Sequence, residues 1–275
     1  GLKRELLVKG ARTYCYTGGQ VFNPVKPSVV MIHGVLHDHS VWAMQSRWFA
    51  HHGWNVLAVD LPGHCRSAGA APQSVEEGAE FVIALLDALG IQRAALVGHS
   101  WGSLIALEAA ARLGNRATHL ALVGTAWPMK VSPALLDAAL KEPEKALRMV
   151  NVFSRSTLSA PPSALGPGTW VFGAQMALGR RVLGSNSEVN LFHRGFVACD
   201  RYAGGEAAIG RVACPVLFAL GTQDQMTPPK AAQTLVNAAR AAGKAVSMAL
   251  LPVGHNEMTE APEETLMALR DFLSA

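Results

Sequence analysis

Short apolar runs alternate with longer helix-like segments along most of this chain. The runs read SVVMIHG (28–34), WNVLAVD (54–60), RAALVGHS (93–100), THLALVGTA (118–126), CPVLFALG (214–221) and AVSMALLP (245–252). Continuous apolar runs of this length are typical of strands buried on both faces of a parallel sheet. Because helical segments separate them, the pattern predicts an α/β fold, with a mostly parallel sheet and helices on both faces. LLVKG (6–10) and RTYCYTGG (12–19) predict an opening hairpin that adds an antiparallel edge.

The alternation breaks after Trp127 and resumes near residue 208. The intervening segment predicts several helices interrupted by Pro and Gly, including a loop over SAPPSALGPG (159–168). We therefore predict an α/β core formed by 1–126 and 208–275, with 127–207 inserted as a helical lid. Since the lid is inserted between two strands, it is expected over their carboxyl ends, where ligands bind in open α/β sheets.

Composition narrows the classes of protein that fit. Half of the 275 residues are hydrophobic, enough for a large core, and every apolar run is broken before about 18 residues, so no membrane span is predicted. The net charge of +4 is spread along the chain without a basic stripe, so no nucleic-acid partner is expected. The four cysteines, which lack CxxC spacing, favour reduced thiols in a cytoplasmic protein: Cys15, Cys65, Cys199 and Cys214. The oligomeric state stays open.

Ser100 lies between two glycines, in GHSWG (98–102), where a predicted strand meets a predicted helix. Glycines on both sides allow a sharp turn that leaves the serine hydroxyl exposed. An ordinary tight turn is the alternative. The position at a strand-to-helix junction favours a nucleophile.

A serine nucleophile needs a base, and the base needs an orienting acid. His255 follows the last predicted strand, and Asp224 follows the strand that ends at Gly221. Both are therefore expected at the same sheet edge as Ser100, in the chain order Ser, Asp, His. The alternatives are a surface-loop histidine and ordinary turn chemistry for the aspartate.

Acyl transfer also requires donors for the oxyanion, and backbone N–H groups are suited to this because they are preorganised. Trp101 supplies one, directly after the nucleophile and at a helix N-terminus. Val35, in the loop after the run 28–34, is the predicted second donor, with His33 and Gly34 shaping that loop.

With these residues the sequence resembles the α/β-hydrolase fold superfamily, in its lid-bearing esterase, lactonase and C–C hydrolase branch. The resemblance lies in HGVLHDHSVW (33–42), DLPGHCRS (60–67), GHSWGS (98–103), GTQDQMTPP (221–229) and GH (254–255). It covers nearly the whole chain, and implies an eight-stranded sheet, a Ser–Asp–His triad and no cofactor. Cys65 and Ser103 stand where glycine is common in similar sequences.

Other polar residues receive other interpretations. His37, Asp38 and His39 are too few for a metal site, and no metal is predicted; Asp38 or Ser40 as a helix N-cap is preferred, with one of the histidines at the pocket mouth. His99 is expected to pack against the tight turn that holds Ser100, here called the elbow. In the lid, an apolar acyl pocket or plain helix packing would explain Trp170, Phe172, Met176, Phe192 and Phe196. Arg194 and Arg201 either meet an anionic substrate or are solvated.

The sequence thus predicts a cofactor-free serine hydrolase that cleaves a small-molecule carboxylic ester, lactone or related acyl compound through an acyl-enzyme. Two alternatives share the fold: a C–C bond hydrolase of vinylogous diketones, and an amide or peptide hydrolase. A third, from another class, is a non-catalytic ligand-binding protein on the same scaffold, because fold alone does not define chemistry.

Overall fold

A computed structural model of the chain describes residues 5–155 and 169–275, without the side chains of 169–171. The predicted loop at 159–168 and the side chain of Trp170 therefore lie outside the described residues. The strands are β1 Leu7–Val8, β2 Ala11–Arg12, β3 Cys15–Tyr16, β4 Ser28–Ile32, β5 Asn55–Val59, β6 Ala94–His99, β7 Ala117–Val123, β8 Val216–Gly221 and β9 Val246–Leu251.

The main sheet has the strand order β3-β5-β4-β6-β7-β8-β9. Its neighbours pair in parallel except for β3, which lies antiparallel to β5 at one edge. Every residue of β4, β5, β6 and β8 is buried, which explains why these strands are continuous apolar runs in the sequence. The prediction of a mostly parallel α/β sheet is confirmed.

The strand number differs from the eight that the resemblance implies. The main sheet of the described residues has seven strands, because β1 and β2 pair only with each other in a separate two-stranded sheet. The antiparallel edge comes from β3, which lies within the second segment (12–19) of the predicted opening hairpin.

Helices cover both faces of the sheet. In chain order they are α1 Ala43–Ala50, α2 Val75–Ala88, α3 Trp101–Leu113, α4 Pro133–Lys141, α5 Pro143–Ser154, α6 Thr169–Gly184, α7 Leu191–Arg201, α8 Gly205–Arg211, α9 Gln233–Ala241, α10 Glu257–Glu260 and α11 Pro262–Leu273. Short 3-10 turns span His39–Trp42, Gly114–Arg116 and Pro229–Ala232. Five of the helices, α4 to α8, lie between β7 and β8 in the chain, and both α7 and α8 contact α3.

Candidate active site

Ser100 lies between the end of β6 and the start of α3, with φ 55° and ψ −118°. A non-glycine residue at positive φ is strained, so the surrounding packing must hold it there. The two flanking glycines provide space. A Cβ at Gly98 would collide with the Gly102 carbonyl, and a Cβ at Gly102 would collide with the carbonyls of Ile32 and His33. The elbow therefore requires both glycines because β4, β6 and α3 approach one another backbone to backbone.

The structure brings together the three side chains that the sequence predicts as a triad. Ser100 Oγ lies 3.0 Å from His255 Nε2, and His255 Nδ1 lies 2.7 Å from Asp224 Oδ2. The imidazole is 9% exposed and the carboxylate is fully buried. With Asp224 on Nδ1, the histidine is oriented to accept the serine proton at Nε2.

Asp224 is held by more than the histidine. Its Oδ1 accepts the backbone N–H groups of Met226 and Thr227, each at 2.8 Å. The Thr227 hydroxyl lies 2.7 Å from Asp224 Oδ2 and 3.0 Å from the carbonyl of Gly124. Burial alone would raise the pKa of Asp224, but the charge of His255 and these hydrogen bonds outweigh it, and the pKa is lowered. The carboxylate therefore stays ionised and keeps its orienting contact at neutral pH.

Two contacts fix the backbone of His255. Its N–H donates to the carbonyl of Ser154 at the end of α5 (2.7 Å), and its carbonyl accepts His99 Nε2 (2.6 Å). His99 thus packs against the turn that holds Ser100, as predicted, and its side chain also links this turn to the backbone of His255. Burial lowers the pKa of His99 to about 4, so this link is made by a neutral imidazole.

Glu257 is a buried carboxyl beside this cluster. Its Oε2 lies 3.3 Å from His99 Nε2, the separation of an ion pair, yet neither carboxyl oxygen has a hydrogen-bond partner among the described residues. Burial raises the pKa of Glu257 well above its ordinary range and lowers that of His99. The two shifts have one cause: burial disfavours each charged form more than the contact between the two groups recovers.

This burial predicts a pH-dependent gain in stability for Glu257→Gln. Below about pH 4 the carboxyl is protonated in both folded and unfolded chains, and wild type and variant should be equally stable. Above that pH the unfolded wild-type chain releases its proton while the folded chain retains it, so wild-type stability falls relative to the variant until the raised pKa is passed. Urea unfolding midpoints across the pH range measure this difference.

Glu263→Gln on the exposed start of α11 is the matched control, since it removes the same charge from a solvated position. Parallel stability curves for wild type and Glu257→Gln would contradict the raised pKa of Glu257 in the folded chain.

The two predicted oxyanion donors, Val35 and Trp101, lie in the loop after β4 and at the start of α3. Val35 lines the cavity next to Ser100, and Trp101 is the first residue of α3, with its side chain in the core. His33 holds the Val35 loop: its Nε2 accepts the Leu61 amide (3.1 Å), so its proton is on Nδ1, which donates to the Gly34 carbonyl (2.9 Å). Residue 33 thus shapes the loop, as predicted.

A mostly apolar cavity opens beside Ser100. Its walls come from the loop after β4, from the segment between β7 and α4, and from α5, α6 and α7. Of the lid side chains considered for an acyl pocket, Phe192 and Phe196 line the cavity, whereas Met176 is buried in the hydrophobic core. Phe172 lies under the Arg155 guanidinium.

The predicted polar residues of the lid and of the loop after β4 differ in whether they line the cavity. Arg194 donates to the Ala71 carbonyl (3.2 Å), and neither it nor Arg201 lines the cavity.

Asp38 is an N-cap, with its Oδ1 accepting the Ser40 amide, as predicted. Residue 37 lines the cavity, as one of the loop histidines was expected to, and burial lowers the pKa of His37 well below its ordinary value. His39 contacts Asp60 at 2.8 Å.

Sequence reasoning missed Thr227, Glu257 and Ser154. Thr227 had a signal, because a hydroxyl three residues after Asp224 in a turn commonly bonds the aspartate. Glu257 and Ser154 had none, because the contacts of Glu257 with His99 and of Ser154 with His255 join segments far apart in the chain.

The fold and the site together define a class, the hydrolases built on a mostly parallel sheet with a serine elbow. A family model described as alpha/beta hydrolase fold matches residues 27–256. The chain belongs to this family, and the protein is an enzyme, a hydrolase. Among its described residues, no helix is both long and apolar enough to cross a membrane.

Curated relatives and solved structures agree with this family. The pimeloyl-[acyl-carrier protein] methyl ester esterase of Chromobacterium violaceum is 30% identical over 211 residues, which cover 74% of this chain and 78% of that protein. An enol-lactonase from Burkholderia xenovorans has a TM-score of 0.79 at 23% identity, covering 98% of both chains. Lipase LipV of Mycobacterium tuberculosis is 33% identical, and the match spans 46% of this chain and 48% of its own length. This chain thus spans under half the length of some relatives it matches.

Proposed function

We propose that the protein hydrolyses a carboxylic ester or lactone through an acyl-enzyme on Ser100. The observation that carries this proposal is the pair of hydrogen bonds joining Ser100, His255 and Asp224, of which Ser100 and His255 line a mostly apolar cavity. The relatives named as a methyl ester esterase and an enol-lactonase support this substrate class.

In this mechanism His255 Nε2 takes the Ser100 proton as Oγ attacks the scissile carbonyl carbon. The negative oxygen of the tetrahedral intermediate accepts the N–H groups of Val35 and Trp101. Collapse of the intermediate breaks the bond to the alkoxide, which leaves with the proton from His255. The same imidazole then activates water, and a second tetrahedral intermediate releases the acid and restores Ser100. Asp224 stays ionised throughout and stabilises the imidazolium.

The inserted helices shape the substrate site in this proposal. We assign residues 127–207 as a lid, since its helices α5, α6 and α7 supply cavity walls opposite Ser100. Among the described lining residues none is Asp or Glu, so a substrate with a free amino group finds no acidic clamp there. This lining favours an ester over the peptide alternative.

A panel of p-nitrophenyl esters of graded acyl length tests the proposal, together with a fluorophosphonate that phosphonylates activated serines. We expect a chain-length optimum, and loss of turnover in proportion to phosphonate found by mass spectrometry on the peptide containing Ser100. Stoichiometric binding without turnover of any ester would instead support the ligand-binding alternative, and turnover that survives complete labelling of Ser100 would exclude it as nucleophile.

A further inference from the structure

The cavity beside Ser100 has a one-sided charge distribution. Apart from its histidines and Cys199, the only ionisable side chain among the described lining residues is that of Lys130, and none of these residues is Asp or Glu. The neighbours of this lysine in the chain, Met129 and Val131, also line it. The described lining residues therefore include one lysine, mostly apolar side chains and no Asp or Glu.

Two hydrogen bonds to Asp200 fix the position of this lysine. Lys130 Nζ donates to the Asp200 carbonyl in the last turn of α7 (2.9 Å), and the Val131 amide donates to Asp200 Oδ1 (2.9 Å). An ammonium group has three N–H donors, and the carbonyl occupies one. Two donors and the full charge of the amine are left for a ligand.

Among the described residues, Lys130 makes no ion pair with any carboxylate. Three other lysines do: Lys9 with Glu80, Lys141 with Asp137 and Lys145 with Glu142. Asp200, whose carbonyl accepts the Lys130 ammonium, uses its Oδ1 to accept the Val131 amide. Lys130 is an exposed residue, so its ammonium is solvated in the free protein and is not paired with a carboxylate of the described residues. A substrate bound over it would displace water and strengthen an electrostatic contact.

We propose that Lys130 determines substrate choice by binding a carboxylate on the acyl chain, away from the scissile carbonyl. This inference rests on the proposed function and narrows it to esters or lactones of acids with a second, anionic group. The methylene chain of such an acyl group would lie along the apolar wall that includes Met129 and Phe196, with its carboxylate at Nζ.

A purely structural role would predict a different result. Lysine side chains often bond the last carbonyls of a helix, and Lys130 does so at α7. If that were its whole role, its loss would disturb the wall of the cavity and slow neutral and anionic substrates alike. The informative quantity is therefore the ratio of kcat/KM values for an anionic and a neutral ester of equal chain length.

The test compares mono-p-nitrophenyl suberate, which carries a distal carboxylate, with p-nitrophenyl octanoate. We expect wild type to favour the suberate, and Lys130→Met to lower the suberate-to-octanoate ratio roughly tenfold, chiefly through KM for the suberate. Lys130→Arg should retain the preference, and added salt should weaken it in wild type. Lys141→Met, at an exposed residue of α4 outside the cavity, removes the same charge and should leave the ratio unchanged. An unchanged ratio in Lys130→Met overturns the inference.

Binding to Ser100→Ala separates this inference from the proposed function. Calorimetry with mono-p-nitrophenyl suberate should give an affinity that is lost when Lys130→Met is added to Ser100→Ala. If wild type hydrolyses neither ester yet this Lys130-dependent binding persists, the proposed function fails and the anion site stands. If both esters are hydrolysed without dependence on Lys130, the anion site fails and the proposed function stands.

Discussion

Ser100→Ala is expected to lower kcat for ester hydrolysis by roughly 10⁴- to 10⁶-fold, because the variant has no oxygen to form the acyl-enzyme. Its residual rate would come from the oxyanion donors and from binding alone. The hydroxyl's hydrogen bond to His255, at 3.0 Å, is the only one recorded for Ser100 Oγ among the described residues, so the fold should lose little stability. Initial rates on the best ester of the graded panel measure the effect.

The double variant Ser100→Ala/His255→Ala distinguishes a triad from two independent contributions. Residues that act as one unit are strongly non-additive, so the double variant should be about as slow as Ser100→Ala alone. Ser274→Ala, at an exposed position next to the C-terminus, is the matched control and should retain the wild-type rate. Losses that multiply in the double variant would mean that serine and histidine act separately.

Gly102→Ala is expected to lower the free energy of unfolding by about 3 kcal/mol or more. The added Cβ meets the backbone carbonyl oxygens of Ile32 and His33, which cannot rotate away as a side chain would. Relief of the clash requires α3 to move away from β4, and this would displace Ser100 and the Val35 loop together. Urea unfolding gives the stability, and the ester panel gives the accompanying loss of activity.

Gly210→Ala in α8 is the matched control for this helical glycine. A Cβ there has no atom within 4 Å, so the variant should gain about 0.5–1 kcal/mol from helix propensity and from a less flexible unfolded chain. Equal unfolding midpoints for Gly102→Ala and wild type would refute the role given to the close approach of β4 and α3.

Much of the sheet was predictable because burial on both faces leaves a direct trace in sequence. Strands such as β4 and β6 have no solvent-facing positions, and so they are read as unbroken apolar runs between helical segments. The strand number was not predictable in the same way. Whether β1 and β2 join the main sheet depends on pairing between segments of only two residues, which carry almost no periodicity.

The positions of Ser100, Asp224 and His255 followed from sequence for a related reason. Each comes directly after a predicted parallel strand, and the carboxyl ends of parallel strands share one edge of a sheet. Chain position alone therefore placed the three residues near one another. Their separations of 3.0 and 2.7 Å required the structure.

The α/β class, the order of the elements and the three residues expected at one edge follow from local sequence patterns and from a general rule of sheet geometry. The side chains that surround these residues could be identified only in the folded structure. The contact of His99 with Glu257 and that of Lys130 with Asp200 join segments widely separated in the chain. The shifted pKa values of His99 and Glu257 depend on burial, which no local pattern in a single sequence encodes.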